Sequence, residues 1–172
     1  RGEELITERF PEIAECAKML DNGTVFDGEV LIWNDDMPAP FAQLQKRIGR
    51  KSVGPKLLRD LPAIFMAYDV LEHNGTDIRD RRTESRRNIL ESLIAQLQGN
   101  TPLRFSPRVS GSTWSELETV RAQSRERLVE GFMLKHRDAP YRVGRVKGDW
   151  WKWKVDPFTA DCVMIYAQRG SG

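Results

Sequence analysis

The sequence predicts an α+β protein, and three observations carry that prediction. Stretches with period-2 alternation, such as Val25 to Trp33, stand beside stretches with helical spacing, such as Ile89, Leu90, Leu93, Ile94 and Leu97. The two kinds intermix without a regular βαβ rhythm, which argues against a doubly wound parallel sheet. The length of 172 residues, 40% of them hydrophobic and 30% charged, suits one globular domain with a substantial core.

In chain order, Pro11 fits the first position of a helix that carries Ile13, Ala14, Ala17 and Leu20 after Phe10, and Asp21-Asn22-Gly23 stops it. Val25 to Trp33 follows as a strand with Asp27, Glu29, Leu31 and Trp33 on one face. Phe41, Leu44 and Ile48 mark a short helix with a basic outer side. Ile64 to Leu71 is a second strand, with Asn74-Gly75 as a turn after it. The spacing predicts a helix over Thr83 to Leu97. Thr113 and Glu116 form a capping box for another helix, expected to carry Trp114, Leu117, Val120 and Leu128 inward. Gly131 to Lys135 and Trp150 to Val155 read as strands joined by a polar loop. After the break at Asp156-Pro157, Cys162 to Tyr166 reads as the start of a new strand.

Composition excludes several classes. No run of about 18 apolar residues exists, so no membrane span or membrane partner is expected. The opening Arg1-Gly2-Glu3-Glu4 has no apolar stretch of the kind a signal peptide needs, and its lack of Met suggests an excised or incomplete chain. Cys16 and Cys162 lie far apart and read as reduced residues of a cytoplasmic protein. With only His73 and His136 beside them, a zinc site is not expected. The net charge of +2 argues little by itself. Two basic groups stand out locally: Lys46, Arg47, Arg50, Lys51 and Lys56, and then Arg79, Arg81, Arg82, Arg86 and Arg87. Such groups suit a phosphate backbone, although charged faces are more often only solvated.

Chemistry concentrates in four short segments. Lys152 and Lys154 share one face of a strand whose other face carries Trp151 and Trp153. Two ammonium groups about 7 Å apart on a strand can clamp one phosphate, and without an anion they repel each other. The plainer reading is an edge strand with solvated lysines. Glu130 beside Gly131 can hold a hard divalent cation together with phosphate oxygens, although a lone helix-end Glu is usually just solvated. Glu29 lies among Val25, Val30, Leu31 and Ile32, so it needs a ribose hydroxyl, a metal or a cation as partner unless its face is exposed. Tyr68 can stack on a purine, or it can pack in the core between Met66 and Val70. Asp69 beside it is placed to fix a neighbouring arginine. There is no Gly-x-x-x-x-Gly-Lys loop, no Gly-x-Gly-x-x-Gly turn and no Ser-His-Asp arrangement.

In order and spacing, these segments resemble the adenylation domain of ATP-dependent DNA ligases, within the covalent nucleotidyltransferase superfamily, and Phe41 to Leu58 with the closing Tyr166-Ala167-Gln168-Arg169-Gly170 look most like a bacterial branch. Arg1-Gly2-Glu3-Glu4 resembles the end of the motif that follows the nucleophile. Asp27-Gly28-Glu29 resembles motif III, Phe65 to Leu71 motif IIIa, Glu130 to Lys135 motif IV and Trp151 to Lys154 motif V. The resemblance implies antiparallel sheets flanked by helices, with an adenylation domain over 1–158 and the first strand of an OB-fold over 159–172. It implies ATP as substrate, Mg²⁺ or Mn²⁺ as the metal, nicked double-stranded DNA as partner and a monomeric enzyme. Lys152 and Lys154 would contact the α-phosphate and serve catalysis. Glu29 would bind the ribose, Tyr68 would stack on adenine, and Met133 would pack on the base's other face. Simple alternation puts Met133 opposite Glu130, so that role needs a bulge. Arg1 would contact the nucleotide or the nick phosphate, and Arg145 and Lys147 both align with an arginine that binds ATP. Glu130, with Glu29, would engage the metal.

The implied chemistry is attack of a lysine on the ATP α-phosphorus, transfer of AMP from lysyl-AMP to a 5′-phosphate, and displacement by a 3′-hydroxyl. Nearby cations lower the pKa of the attacking lysine. The chain departs from the family in lacking any Lys-x-Asp-Gly, so the nucleophile is expected upstream of Arg1 and residues 1–172 alone are expected to be inactive. RNA ligases and capping-type nucleotidyltransferases share this covalent logic. A non-catalytic nucleic-acid-binding module of the same fold is a further alternative.

Overall fold

The protein is described by a computed structural model covering residues 4–50, 52–97, 99, 101–144 and 146–169. A 3-10 turn at Thr7–Arg9 leads into helix α1 (Pro11–Ala17), whose first position is the expected proline. Strand β1 (Val25–Asn34) turns through Asp35 and Asp36 into the short β2 (Met37–Pro38). Helices α2 (Phe41–Ile48) and α3 (Pro55–Asp60) follow, then β3 (Ala63–His73) and β4 (Thr76–Asp77) around the Asn74-Gly75 turn. Helix α4 (Thr83–Ala95), β5 (Leu103–Phe105), α5 (Trp114–Ala122), β6 (Gly131–Lys135) and β7 (Trp150–Lys154) complete the described elements.

The first sheet runs β2-β1-β3-β4, antiparallel throughout, and β5 pairs parallel to β3. Two apolar clusters cover it. One joins Cys16 of α1, Ala67 and Val70 of β3, Leu90, Leu93 and Ile94 of α4, and Leu103 of β5. The other joins Phe10, Ile32, Leu44, Leu61 and Ala63. Along β1 the cores take Phe26, Val30 and Ile32, so the alternate positions Asp27, Glu29, Leu31 and Trp33 are left for the other face, as period 2 requires. The second sheet is the antiparallel pair β6-β7.

Two arginines act as buried ties. Arg47, fully buried, donates to both oxygens of Glu12 (2.6 and 2.5 Å) and to the carbonyls of Arg9 and Leu61, joining α2 to α1. Arg86, also fully buried, forks onto Asp69 through Nε (2.8 Å) and Nη2 (3.1 Å). Asp69 thus fixes an arginine as expected. These two residues, with Arg87 held by Glu91 and the Ser106 carbonyl, are structural and unavailable to a phosphate backbone. The basic groups read from sequence are correspondingly smaller at the surface.

The loop after β6 closes over the start of α4. The N–H groups of Thr83 and Glu84 donate to the carbonyls of Ala139 (2.9 Å) and Arg137 (3.1 Å), and the Thr83 hydroxyl also donates to Ala139. These carbonyls satisfy donors that a helix cannot pair internally.

Some expectations differ from the structure. Residues 162–166 form no strand: 155–169 carry no regular element, and Val163, Met164, Ile165 and Tyr166 are exposed. A strand needs a ladder partner, and none of the described strands pairs with this segment. Trp114 and Leu128 do not point inward. Trp114, the first residue of α5, is 68% exposed with its ring 5.6 Å from Trp153, and Leu128 lies beyond the helix at φ 54°. The capping box forms with a shift: Thr113 Oγ1 accepts from Glu116 N (3.2 Å), while Glu116 Oε2 accepts from Ser112 N (2.7 Å), one residue before the cap. Cys16 and Cys162 are both free thiols, one buried and one exposed.

Candidate functional site

The β6-β7 register decides which side chains share a face. Gly131 pairs with Lys154, Met133 with Lys152 and Lys135 with Trp150. Directly opposed residues of an antiparallel pair project to the same side. Met133, Lys135, Trp150, Lys152 and Lys154 therefore form one face, and Phe132, Leu134, Trp151 and Trp153 the other. The second face is backed by α5: Trp153 meets Phe132 and Trp114 edge-on and carries the Arg121 guanidinium 4.9 Å from its ring centroid. Arg121 also donates to the Lys154 carbonyl (2.7 Å).

Gly131 explains how Glu130 reaches the lysine face. Its φ of 131° lies in a region that L side chains avoid, and a Cβ there would stand 2.3 Å from the Trp153 carbonyl oxygen. This backbone twist interrupts the alternation that would have sent Glu130 to the tryptophan side. Glu130 instead pairs with Lys154. The Lys154 ammonium holds the Glu130 carboxyl below the usual carboxylate range, with Lys152 adding to the effect. Met133 and Glu130 thus belong to the same side as Lys152 and Lys154.

The facing wall comes from β1 and β3. The ladder steps from Asp27↔Asp69 to Gly28↔Ala67, so Tyr68 is the extra residue of a β-bulge. Gly28 permits this approach, since a Cβ on it would lie 2.4 Å from the Met66 carbonyl oxygen. Glu29 pairs with Met66, two residues before Tyr68, so alternation places Tyr68 on the face of Glu29, and the bulge brings Asp69, opposite Asp27, to that face as well. Burial first, then a hydrogen bond to Glu29 and its charge, pushes the Tyr68 hydroxyl well above the ordinary phenol range. Tyr68 is half-buried rather than sealed between Met66 and Val70, and Glu29 lies on the exposed side of its strand.

Side chains join the two walls. Lys135 Nζ donates to Asp69 Oδ2 (3.2 Å) and to the Tyr68 carbonyl (3.3 Å), and it stands 4.0 Å over the Trp150 ring. Tyr141 donates its hydroxyl to Asp27 Oδ2 (3.0 Å) and packs edge-on against Trp150. Burial, then the charge and hydrogen bond of Asp27, pushes the Tyr141 hydroxyl up to about 12. Sequence reasoning assigned no role to Lys135 or Tyr141. Lys135 shares the period-2 face of Met133, a usable signal, whereas Tyr141 sits in a loop where no periodicity applies.

Arg1 and Arg145 lie outside the described residues, and Lys147 occupies an exposed turn. Among the described residues no three His, Cys, Asp or Glu side chains converge as a metal cage. Glu29 and Glu130 are single carboxylates. That donor set fits Mg²⁺ or Mn²⁺ arriving with a polyphosphate, because Mg²⁺ commonly takes one or two carboxylates plus phosphate oxygens. No helix among the described residues is long and apolar enough to cross a membrane.

The chain is similar in sequence and in fold to known DNA ligases. A probable DNA ligase of Koribacter versatilis (strain Ellin345) is 28% identical over 187 residues, covering 97% of this chain and 32% of that protein. A probable DNA ligase of Sorangium cellulosum (strain So ce56) is 33% identical over 174 residues, covering 100% of this chain and 31% of that protein. The chain therefore spans about a third of the length of these curated relatives. Among solved structures, a mycobacterial DNA ligase D complexed with ATP and MES superposes with a TM-score of 0.64 at 29% identity, covering 87% of this chain and 44% of that one. The model of the ATP-dependent DNA ligase domain matches residues 1–154, and the chain belongs to that family.

Proposed function

We propose that this chain supplies the walls of an adenylate pocket in an enzyme that seals nicks in double-stranded DNA through lysyl-AMP. One observation carries the reading: Glu130, Met133, Lys152 and Lys154 share the β6-β7 face whose Lys135 reaches the Tyr68 and Asp69 backbone and side chain. Tyr68 offers its ring to adenine and Glu29 its carboxylate to the ribose hydroxyls. Met133 is the apolar contact for the base's second face. Lys152 and Lys154 take the α-phosphate oxygens, where fixed cations offset charge that grows as phosphorus is attacked.

Glu130 starts out paired with Lys154, so nucleotide entry exchanges a carboxylate for a phosphate at that ammonium. The freed Glu130, with Glu29 as the second carboxylate, would hold Mg²⁺ or Mn²⁺, and such a metal would supply neutralisation of phosphate charge. The chain holds no Lys-x-Asp-Gly, so the proposal gives it the binding and electrostatic work and assigns the nucleophile elsewhere. Arg1 and Arg145 or Lys147 are further nucleotide contacts in this reading. The 159–172 segment is assigned to a following OB-fold, and a monomer acting in the cytoplasm accompanies it.

Incubation of the 172-residue chain with α-labelled ATP and Mg²⁺ tests the proposal. ATP binds and no covalent label is retained. An acid-labile, protein-bound adenylate would overturn the placement of the nucleophile, and absence of ATP binding would overturn the pocket.

A further inference from the structure

Lys135 is a cation without an obvious need. Its ammonium is largely buried, and burial pushes its pKa down against the opposing pull of Asp69. Asp69 does not require it, because Arg86 already forks onto both carboxylate oxygens and the Val70 N–H donates to one of them (3.0 Å). A second buried cation beside a satisfied carboxylate costs desolvation with little return in pairing. What Lys135 does that Arg86 does not is donate to the carbonyl of Tyr68, the bulged residue (3.3 Å). A bulge leaves its extra residue outside the ladder, so that peptide needs a donor from elsewhere to hold one orientation.

We infer that Lys135 is a positioning residue that pins the Tyr68 bulge, aiming the Tyr68 ring and its partner Glu29 at the nucleoside half of the ligand. Lys135 lies on the face that carries Lys152 and Lys154, so the same contact sets the distance between the nucleoside wall and the phosphate wall. The Trp150 ring beneath the ammonium, with Tyr141 against that ring, limits the directions Nζ can take. The inference rests on the adenylate-pocket reading and assigns a residue that acts through Tyr68, without touching the nucleotide.

The test compares the 172-residue chain with Lys135→Met and Lys135→Arg, measuring binding of ATP and of inorganic tripolyphosphate by calorimetry. Lys135→Met is expected to bind ATP about tenfold more weakly, the loss of a well-oriented stacking partner, with tripolyphosphate affinity unchanged. Lys135→Arg keeps donors for both oxygens and recovers most of the ATP affinity. Equal loss for both ligands in Lys135→Met would reduce Lys135 to a merely structural contact, and unchanged ATP affinity would remove its role altogether. Thermal melts check folding, which the intact Asp69–Arg86 fork is expected to preserve. Should Lys135→Met not fold, Lys135→Gln takes its place under the same criteria: a loss for ATP without a change in tripolyphosphate binding supports the role, and equal losses or no loss overturn it. Failure of the pocket reading is distinguishable, because the unsubstituted chain would then bind ATP no better than tripolyphosphate.

Discussion

Arg86→Met removes the centre of a buried ionic tie, and its cost can be worked from the contacts. The side chain of Arg86 is 0% exposed and that of Asp69 3%. Arg86 makes two bonds to the carboxylate and donates to the carbonyls of Arg81 and, at 3.3 Å, Ala139. Methionine fills similar space and leaves Asp69 with Lys135 Nζ and the Val70 N–H. Breaking a buried pair from one side costs about 3–5 kcal/mol, and the surviving Lys135 contact places this case at the lower end, about 3 kcal/mol. Arg82 is the control: its pair with Asp138 is exposed on both sides (63% and 54%), and Arg82→Met should cost less than about 1 kcal/mol. In urea, with a slope of about 1–3 kcal/mol per molar, Arg86→Met lowers the midpoint by about 1–3 M. Tryptophan fluorescence follows the transition. A midpoint shift for Arg86→Met no larger than for Arg82→Met would refute the claim that burial sets the worth of this tie.

The site offers further tests. Gly131→Ala places a Cβ 2.3 Å from the Trp153 carbonyl oxygen at φ 131° and should destabilise the protein by about 2 kcal/mol or more, read from the same urea transition. In the whole protein, Lys152→Ala and Glu130→Ala each lower the rate of adenylate formation by about 100-fold or more while the thermal melt is unchanged; near-normal single-turnover rates in either variant would remove that residue from the chemistry. Alkaline titration followed by tyrosinate absorbance should leave Tyr68 and Tyr141 protonated past the ordinary phenol range, with Tyr141 near 12. Since the unfolded chain loses those protons first, stability falls as pH rises above about 10, and a flat urea midpoint there would contradict both shifts.

Strand and helix placement was legible wherever periodicity acts over many residues. Val25 to Trp33, Ile64 to Leu71, Phe41 to Ile48 and the body of α4 all carry long, regular patterns. The short elements β2, α3, β4 and β5 hold too few residues for a period to show, and β5 exists through its parallel pairing to β3. The segment 162–166 has strand composition but no partner among the described strands, which shows that composition proposes and a ladder decides. In the site, alternation put Lys152 and Lys154 on one face, whereas Met133 joins them through the β6-β7 register, which no single strand's pattern encodes. Alternation did not bring Glu130 there, because one glycine with positive φ breaks the rule at that point. The bulge at Tyr68 and the reach of Tyr141 to Asp27, 114 residues away, are tertiary facts that no local pattern encodes.

The loop that caps helix α4 has a kinetic meaning. The helix closes its first turn with carbonyls from Arg137 and Ala139, and Ala139 follows Thr83 by 56 residues. During synthesis the helix therefore exists for a long interval with two bare N–H donors, frayed at the end that carries Arg86. The Lys135 contact with Asp69 and the crossing to the second sheet are completed only when the β6 strand arrives. Long-separated closures of this kind slow folding. They also couple the parts they join: the strand pair bearing the lysines cannot peel away without uncapping α4, so the two sheets should melt in a single transition.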